Sequence, residues 1–259
     1  MTTPATAPNP GFNAPGVEDF QLPPIFGEVT KPVLLFVLSA IIVYAFFAYT
    51  VRRPALVPSK GQFLGESFHG IVRNTIARDN IGPEFLKYVP FLTTLFAFIL
   101  VNNLFGIVPV VQFPSFSHPG VAYALAAMVW LTYNIIGIRR HGFVGYLRVA
   151  TWPPGVPWWV RIVLTPIEFL SNILLRPVTL SLRLFGNMFA GHLLLLVFIL
   201  GGEYMLLHSE SILLGILSPF AFALGIVFTF FEAFVQVVQA YIFTILTASY
   251  IGSVLADDH

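Results

Sequence analysis

Apolar positions in this chain run in long blocks, broken at a few charged or proline-rich points. Residues 33–51 form an uncharged block of nineteen residues that stops at Arg52, Arg53 and Pro54. That length spans a hydrocarbon layer of ~30 Å at ~1.5 Å per helical residue. Residues 88–111 form a second block behind Lys87, and residues 120–138 a third, closed by Arg139 and Arg140. Two longer apolar regions follow, residues 162–200 and 211–256. As one helix the last would run ~69 Å, about twice the hydrocarbon thickness. It either folds back as a hairpin or crosses at a steep tilt. Pro219 and Gly225 interrupt only its first part, and no Gly or Pro falls between Ile226 and Ile251. That favours long tilted helices. Between the first two blocks, residues 62–76 place Leu64, Phe68, Ile71, Val72 and Ile76 on one helical face. Gln62, Glu66 and Arg73 fall opposite, the pattern of an amphipathic helix lying on a membrane surface or packed on protein.

The expected fold is therefore an all-α integral membrane protein. About five helices cross the bilayer, the last two long and steeply tilted, with an interfacial helix over residues 62–76. Residues 31–259 make the membrane domain. Residues 1–30, rich in Pro, Thr, Ala and Asn, read as a flexible extracytoplasmic tail. They lack the basic start and apolar core of a signal peptide. The apolar patch at residues 22–26 is expected to rest on the membrane surface. Tyr146, Trp152, Trp158 and Trp159 crowd a Pro-rich loop, as aromatics do at a membrane–water boundary.

Composition agrees with this pattern. Of 259 residues, 57% are hydrophobic and only 10% charged, against roughly 25% charged in a soluble domain. Mean hydropathy is +0.83. So little charge cannot cover a soluble enzyme. A net charge of +1 without a basic run excludes a nucleic-acid binder. There is no cysteine, and the six histidines show no metal-binding spacing, so no metal or cofactor is expected. No GxxxxGK[ST] loop for nucleotide phosphates is present.

The thirteen Lys and Arg residues set the expected orientation. Six lie between residues 52 and 87 and five between 139 and 176, while residues 112–119 and 201–210 carry none. By the positive-inside rule the N-terminus is outside and the C-terminus cytoplasmic, in a multi-pass protein of the inner (plasma) membrane. Lys31, at the start of the first block, and Arg183 are the two exceptions.

Arg183 sits deep in apolar sequence. An arginine cannot shed its charge there, so it must meet water or an acidic partner, unless it snorkels to the boundary. Glu232 is the only charge between residues 211 and 256. Thr229, Glu232, Gln236 and Gln239 follow at spacings of 3, 4 and 3, one polar stripe on one helix face. In the fourth region Glu168, Asn172, Thr179 and Arg183 fall within about 60° of one another on an ideal helix. Helix rise places Glu232 at the depth of His192, and Gln239 nearer Arg183. His192 itself points about 180° from Arg183, unless Pro177, Gly186 or Gly191 alters the phase. Two polar paths follow that do not join. One leads from outside to Glu232 and His192, which can relay protons. The other leads from Arg183 past Asn172 and Glu168 to the cytoplasm. A carrier carboxylate must pass between them, and this chain offers none, so a partner subunit is required.

Residues 176–192, RPVTLSLRLFGNMFAGH, resemble the signature of subunit a of F-type rotary ATP synthases. Pro166-Ile167-Glu168 resembles its lead-in, residues 101–109 (VNNLFGIVP) its second-span motif and residues 239–247 (QAYIFTILT) its final-helix motif. The resemblance covers roughly residues 20–256, and the chain looks like bacterial members of actinobacterial type. It implies a proton-translocating stator subunit, not catalytic by itself, beside a rotating c-ring. The peripheral-stalk subunit b and the rest of the complex are implied partners. Arg183 matches the essential arginine facing the c-ring carboxylate. His192 and Glu232 match the polar pair of the outer half-channel, with acid and imidazole exchanged as in mitochondrial forms. Gln239 matches the glutamine beside the arginine, and Asn187 and Asn103 match channel positions. Gln236 belongs with the outer path; Glu168, Asn172 and Thr179 fall where the inner half-channel is expected. The alternative is a self-contained proton-coupled secondary transporter, which would usually show inverted repeats and its own carboxylate site.

Overall fold

The computed structural model describes residues 15–16, 31–52, 55, 57–108, 113, 115–151, 157–208 and 212–256. The tail at residues 1–30 other than Pro15 and Gly16, residues 109–111 of the second block, Trp152 and the Trp158 side chain lie outside the described residues.

The described chain is helical and without strands. Helix α1 (Lys31–Val51) is followed by α2 (Lys60–Ile71), a π-turn (Val72–Ala77) and α3 (Arg78–Ile81). Helix α4 (Val89–Phe105) and α5 (Pro119–Thr151) come next, with short 3₁₀ turns at Phe85–Lys87 and Ser115–Ser117. Helix α6 (Trp158–Phe169), a second π-turn (Leu170–Leu175) and α7 (Arg176–Leu207) form one rod, and α8 (Ile212–Leu255) closes the chain. Neither long apolar region is a hairpin. The rod over Trp159–Leu207 is 49 residues and α8 is 44, so each is ~65–75 Å long and cannot stand upright in ~30 Å of hydrocarbon. With α1 and α5 they are the four described helices long and apolar enough to cross a membrane, and α4 is a shorter apolar helix.

Packing centres on α8. Its buried positions include Ala240, Phe243, Ala248 and Ile251, and they join Ile76, Leu92, Ile99, Val129, Tyr133 and Leu184 in one core. Helix α7 offers Leu180, Leu184, Met188 and Leu195, the spacing of one helix face. Helix α1 leans on α4, where Asn102 Nδ2 donates to Ser39 Oγ at 2.6 Å and Phe36 meets Phe98 edge to face.

Three local expectations change. The third span does not stop at Arg139 and Arg140. It runs on to Gly142, whose φ of +72° only glycine adopts readily, and the chain turns there into a short helical extension. Tyr146 on that extension is buried, its hydroxyl donating to Asn134 Oδ1, and so is not at a membrane boundary; Trp159 is exposed. The segment over residues 62–76 does not keep one apolar face. Leu64 and Ile71 are exposed, Val72 and Ile76 fully buried, and Gln62 is buried against the Ala55 backbone. The buried positions Gln62, Gly65, Val72 and Ile76 keep a helical spacing, so the face that packs is set by the neighbours rather than by the apolar pattern: a Cβ on Gly65 would lie 2.7 Å from the Thr50 side chain of α1.

Candidate functional site along the last two helices

Helices α7 and α8 pack along much of their length, and the polar residues of α8 lie on its inward face. Glu232, Gln236 and Gln239 are all buried, at 5%, 3% and 2% exposure. Thr229 is half-buried and turns its hydroxyl to the Gly225 carbonyl, so it joins no neighbouring chain of polar groups. Gln236 Nε2 donates to Glu232 Oε1 at 3.0 Å. From α4, Asn103 Nδ2 donates to the Gln236 backbone carbonyl at 3.0 Å. From α7, Asn187 Nδ2 donates to Gln239 Oε1 at 2.6 Å. One turn on, the missing side chain of Gly191 makes room for the acid: a Cβ there would lie 3.0 Å from Glu232 Oε1.

Glu232 thus stands level with the residue preceding His192, and Gln239 level with Asn187, closer to Arg183. A cavity of about 230 Å³ opens between the helices, lined by Asn187, Gly191, Glu232 and Gln236 together with Phe228 and Phe231. Asn103 Oδ1, Glu232 Oε2, Gln236 Oε1 and Gln239 Nε2 are buried beside this seam without a hydrogen bond among the described residues.

Arg183 stands apart. It is exposed on the outer face of α7, between exposed Leu182 and buried Leu184. Among the described residues it has no hydrogen-bond or ion-pair partner. Helix α7 is regular from Arg176 to Leu207, so Gly186 and Gly191 leave its phase unchanged. His192, half-buried, therefore lies on the side away from Arg183.

The residues expected on the inner path do not form one stripe with Arg183. Asn172 Nδ2 donates to Glu168 Oε2 at 2.8 Å and to the Ala150 carbonyl at 2.7 Å. Thr179 is exposed and bonds only carbonyls of its own helix. The π-turn at Leu170–Leu175 separates the two pairs. Pro177 has no N–H for the Ile173 carbonyl and its ring crowds that oxygen. The backbone responds by lengthening a turn, and the Arg176 N–H bonds Ser171 rather than Asn172. Two carbonyls lose their helical donors, and α5 supplies both. Trp130 Nε1 donates to Ile173 O at 2.8 Å and the Tyr133 hydroxyl to Asn172 O at 3.2 Å. Below them Arg176 bonds Ser253 Oγ at 3.1 Å and lies over the Tyr250 ring at 4.8 Å.

Several of these residues carry no strong sequence signal. Ser39 is one hydroxyl among the apolar residues of the first block and Asn102 stands beside Asn103 in the second; their pairing across α1 and α4 is invisible until the helices meet. Trp130 and Tyr133 look like ordinary apolar positions of a spanning helix. Among the described residues no cluster of three His, Asp or Glu side chains could hold a metal ion.

Fold and site define a multi-pass α-helical membrane protein with a buried polar seam between its last two helices and a lone arginine on their outer face. The family model "ATP synthase A chain" matches residues 33–252, and the chain belongs to that family. It is 48% identical to the ATP synthase subunit a of Nocardioides sp. over 98% of this chain and 97% of that protein. It is 47% identical to that of Pseudarthrobacter chlorophenolicus (96% and 95% covered) and 38% identical to that of Streptomyces lividans (96% and 90%).

Proposed function

We propose that the chain is the proton-translocating stator subunit in the membrane sector of an F-type ATP synthase, non-catalytic by itself. It works beside a rotating c-ring and a peripheral-stalk subunit b. The observation that carries the reading is Arg183: a permanent cation on the exposed face of an apolar helix, without a partner among the described residues of its own chain. An arginine so placed needs a carboxylate from outside. A carboxylate on each c subunit, passing in turn, meets that need.

In this reading protons enter from the side opposite the basic loops, with the N-terminus outside and the C-terminus cytoplasmic. They reach His192 and Glu232 first, and the seam of Gln236, Asn103, Asn187 and Gln239 continues inward from there toward Arg183. The unpartnered buried atoms there would each cost about 1–3 kcal/mol if dry; water threading the seam removes that cost and supplies the relay. From Glu232 the proton passes to a ring carboxylate, which neutral can rotate into lipid. After nearly a full revolution that carboxylate nears Arg183, which favours its ionised form and releases the proton to the inner path at Asn172 and Glu168. Arg183 also repels a proton moving directly from one path to the other. Thr179, one turn toward the inner side of Arg183, lies on the same exposed face.

The chain has no native cysteine, so single cysteines report contacts cleanly. Thr179→Cys, Leu182→Cys and Ala190→Cys, all at exposed positions, should each crosslink to a cysteine beside the c-subunit carboxylate. Ile41→Cys and Tyr44→Cys on α1 should not. Failure at all three α7 positions would favour the self-contained transporter.

A further inference from the structure

Away from the seam, three apolar helices end together around a second polar cavity. Lys87 precedes α4, Arg139 and Arg140 close the straight part of α5, and Leu255 ends α8. These ends enclose about 410 Å³, lined by those residues together with Glu84, Tyr88, Ile135 and Ile136. Arg140 is paired with Glu84 at 2.5 Å. Lys87 and Arg139 have no carboxylate among the described residues, and Lys87 only stands near the Tyr88 ring at 5.7 Å. Among the described residues the rim therefore holds two cations that no carboxylate compensates, where apolar helix surface gives way to water. Beside the charged rim the wall turns apolar at Ile135 and Ile136, with Ile135 exposed. A charged rim beside an apolar wall matches a molecule that is anionic at one end and hydrocarbon at the other.

We infer that this pocket binds the phosphate headgroup of an anionic phospholipid, between Lys87 and Arg139, with an acyl chain along Ile135. Basic pockets at the ends of membrane helices bind such headgroups by charge attraction, strengthened by the low dielectric of the boundary. Glu84 does not oppose this, because Arg140 pairs with it and offsets its charge. The site is independent of the ion path, since it needs only that the helices sit in a bilayer.

Native mass spectrometry of the full chain, transferred to mild detergent from vesicles with equal phosphatidylglycerol and phosphatidylcholine, tests the pocket. The chain should retain phosphatidylglycerol in preference to phosphatidylcholine. The double variant Lys87→Gln/Arg139→Gln should lose that retention by about thirtyfold, the effect of two basic groups at a membrane surface. Lys87→Arg/Arg139→Lys should preserve it, as should Arg52→Gln at an exposed position outside the pocket. Equal retention of both lipids, or an unaffected double variant, would overturn the inference. Displacement of the lipid by inorganic phosphate would make the pocket a site for free anions. Lipid binding that emerges only in Asp257→Asn/Asp258→Asn would give the pocket to the chain's own acidic residues.

Discussion

Glu232 owes its position to what its neighbours lack and offer. Gly191 leaves the space for the carboxyl, and Gln236 donates to one of its oxygens. Gly191→Val should push the acid out of the seam and slow ATP-driven proton pumping in membrane vesicles at least about tenfold, as misplacement of a reacting group does. Pumping at the normal rate in that variant would mean the carboxyl is not used where it lies. Glu232→Gln and His192→Ala each remove a group that can pass a proton, and each should slow pumping about a hundredfold. A normal rate in the double variant would remove the relay. At this scale the sequence is generous where a residue is costly. An arginine or a glutamate in apolar surroundings is conspicuous because it must be compensated. Ser39, Asn102 and Tyr133 escape notice because a single hydroxyl or amide can bond its own helix or a neighbour at little cost. Only packing shows which.

At the scale of the element, a π-turn decides which faces meet. The one before α7 is fixed by Pro177 and held by Trp130 and Tyr133, which satisfy the carbonyls it frees. Trp130→Phe and Tyr133→Phe keep the ring packing and remove the donor. Each should destabilise the chain by about 1–3 kcal/mol, the cost of an unpaired carbonyl at a helix contact. Thermal melting of the detergent-solubilised protein would read this, and an unchanged midpoint in both variants would show that water serves those carbonyls equally well. The same turn explains why the spacing of Glu168, Asn172, Thr179 and Arg183 misleads. An ideal 3.6-residue period carries no information across an inserted residue. Within α7 and α8 themselves, which are regular helices past that turn, the period holds, and the grouping of Glu232, Gln236 and Gln239 on one face is readable directly.

Over the whole molecule, length carries the architecture. Apolar stretches too long to stand upright leave only hairpins or tilt, and the continuous rods of 49 and 44 residues decide for oblique helices. Their ends stay within reach of both surfaces while their middles lie against each other. That keeps the Glu232 seam buried and leaves Arg183 on the outer face. No sequence pattern could show that the Glu232 seam opens one turn from the arginine, at Asn187 and Ala190, because the relative rotation of α7 and α8 comes from their mutual packing. The central claim is that Arg183 faces a carrier carboxylate from another subunit and separates two proton paths. ATP-driven acidification of inverted membrane vesicles carrying Arg183→Ala tests it most directly, with hydrolysis by the detached catalytic head as the control. The account predicts loss of pumping with hydrolysis intact. Acidification at the unmodified rate would contradict it.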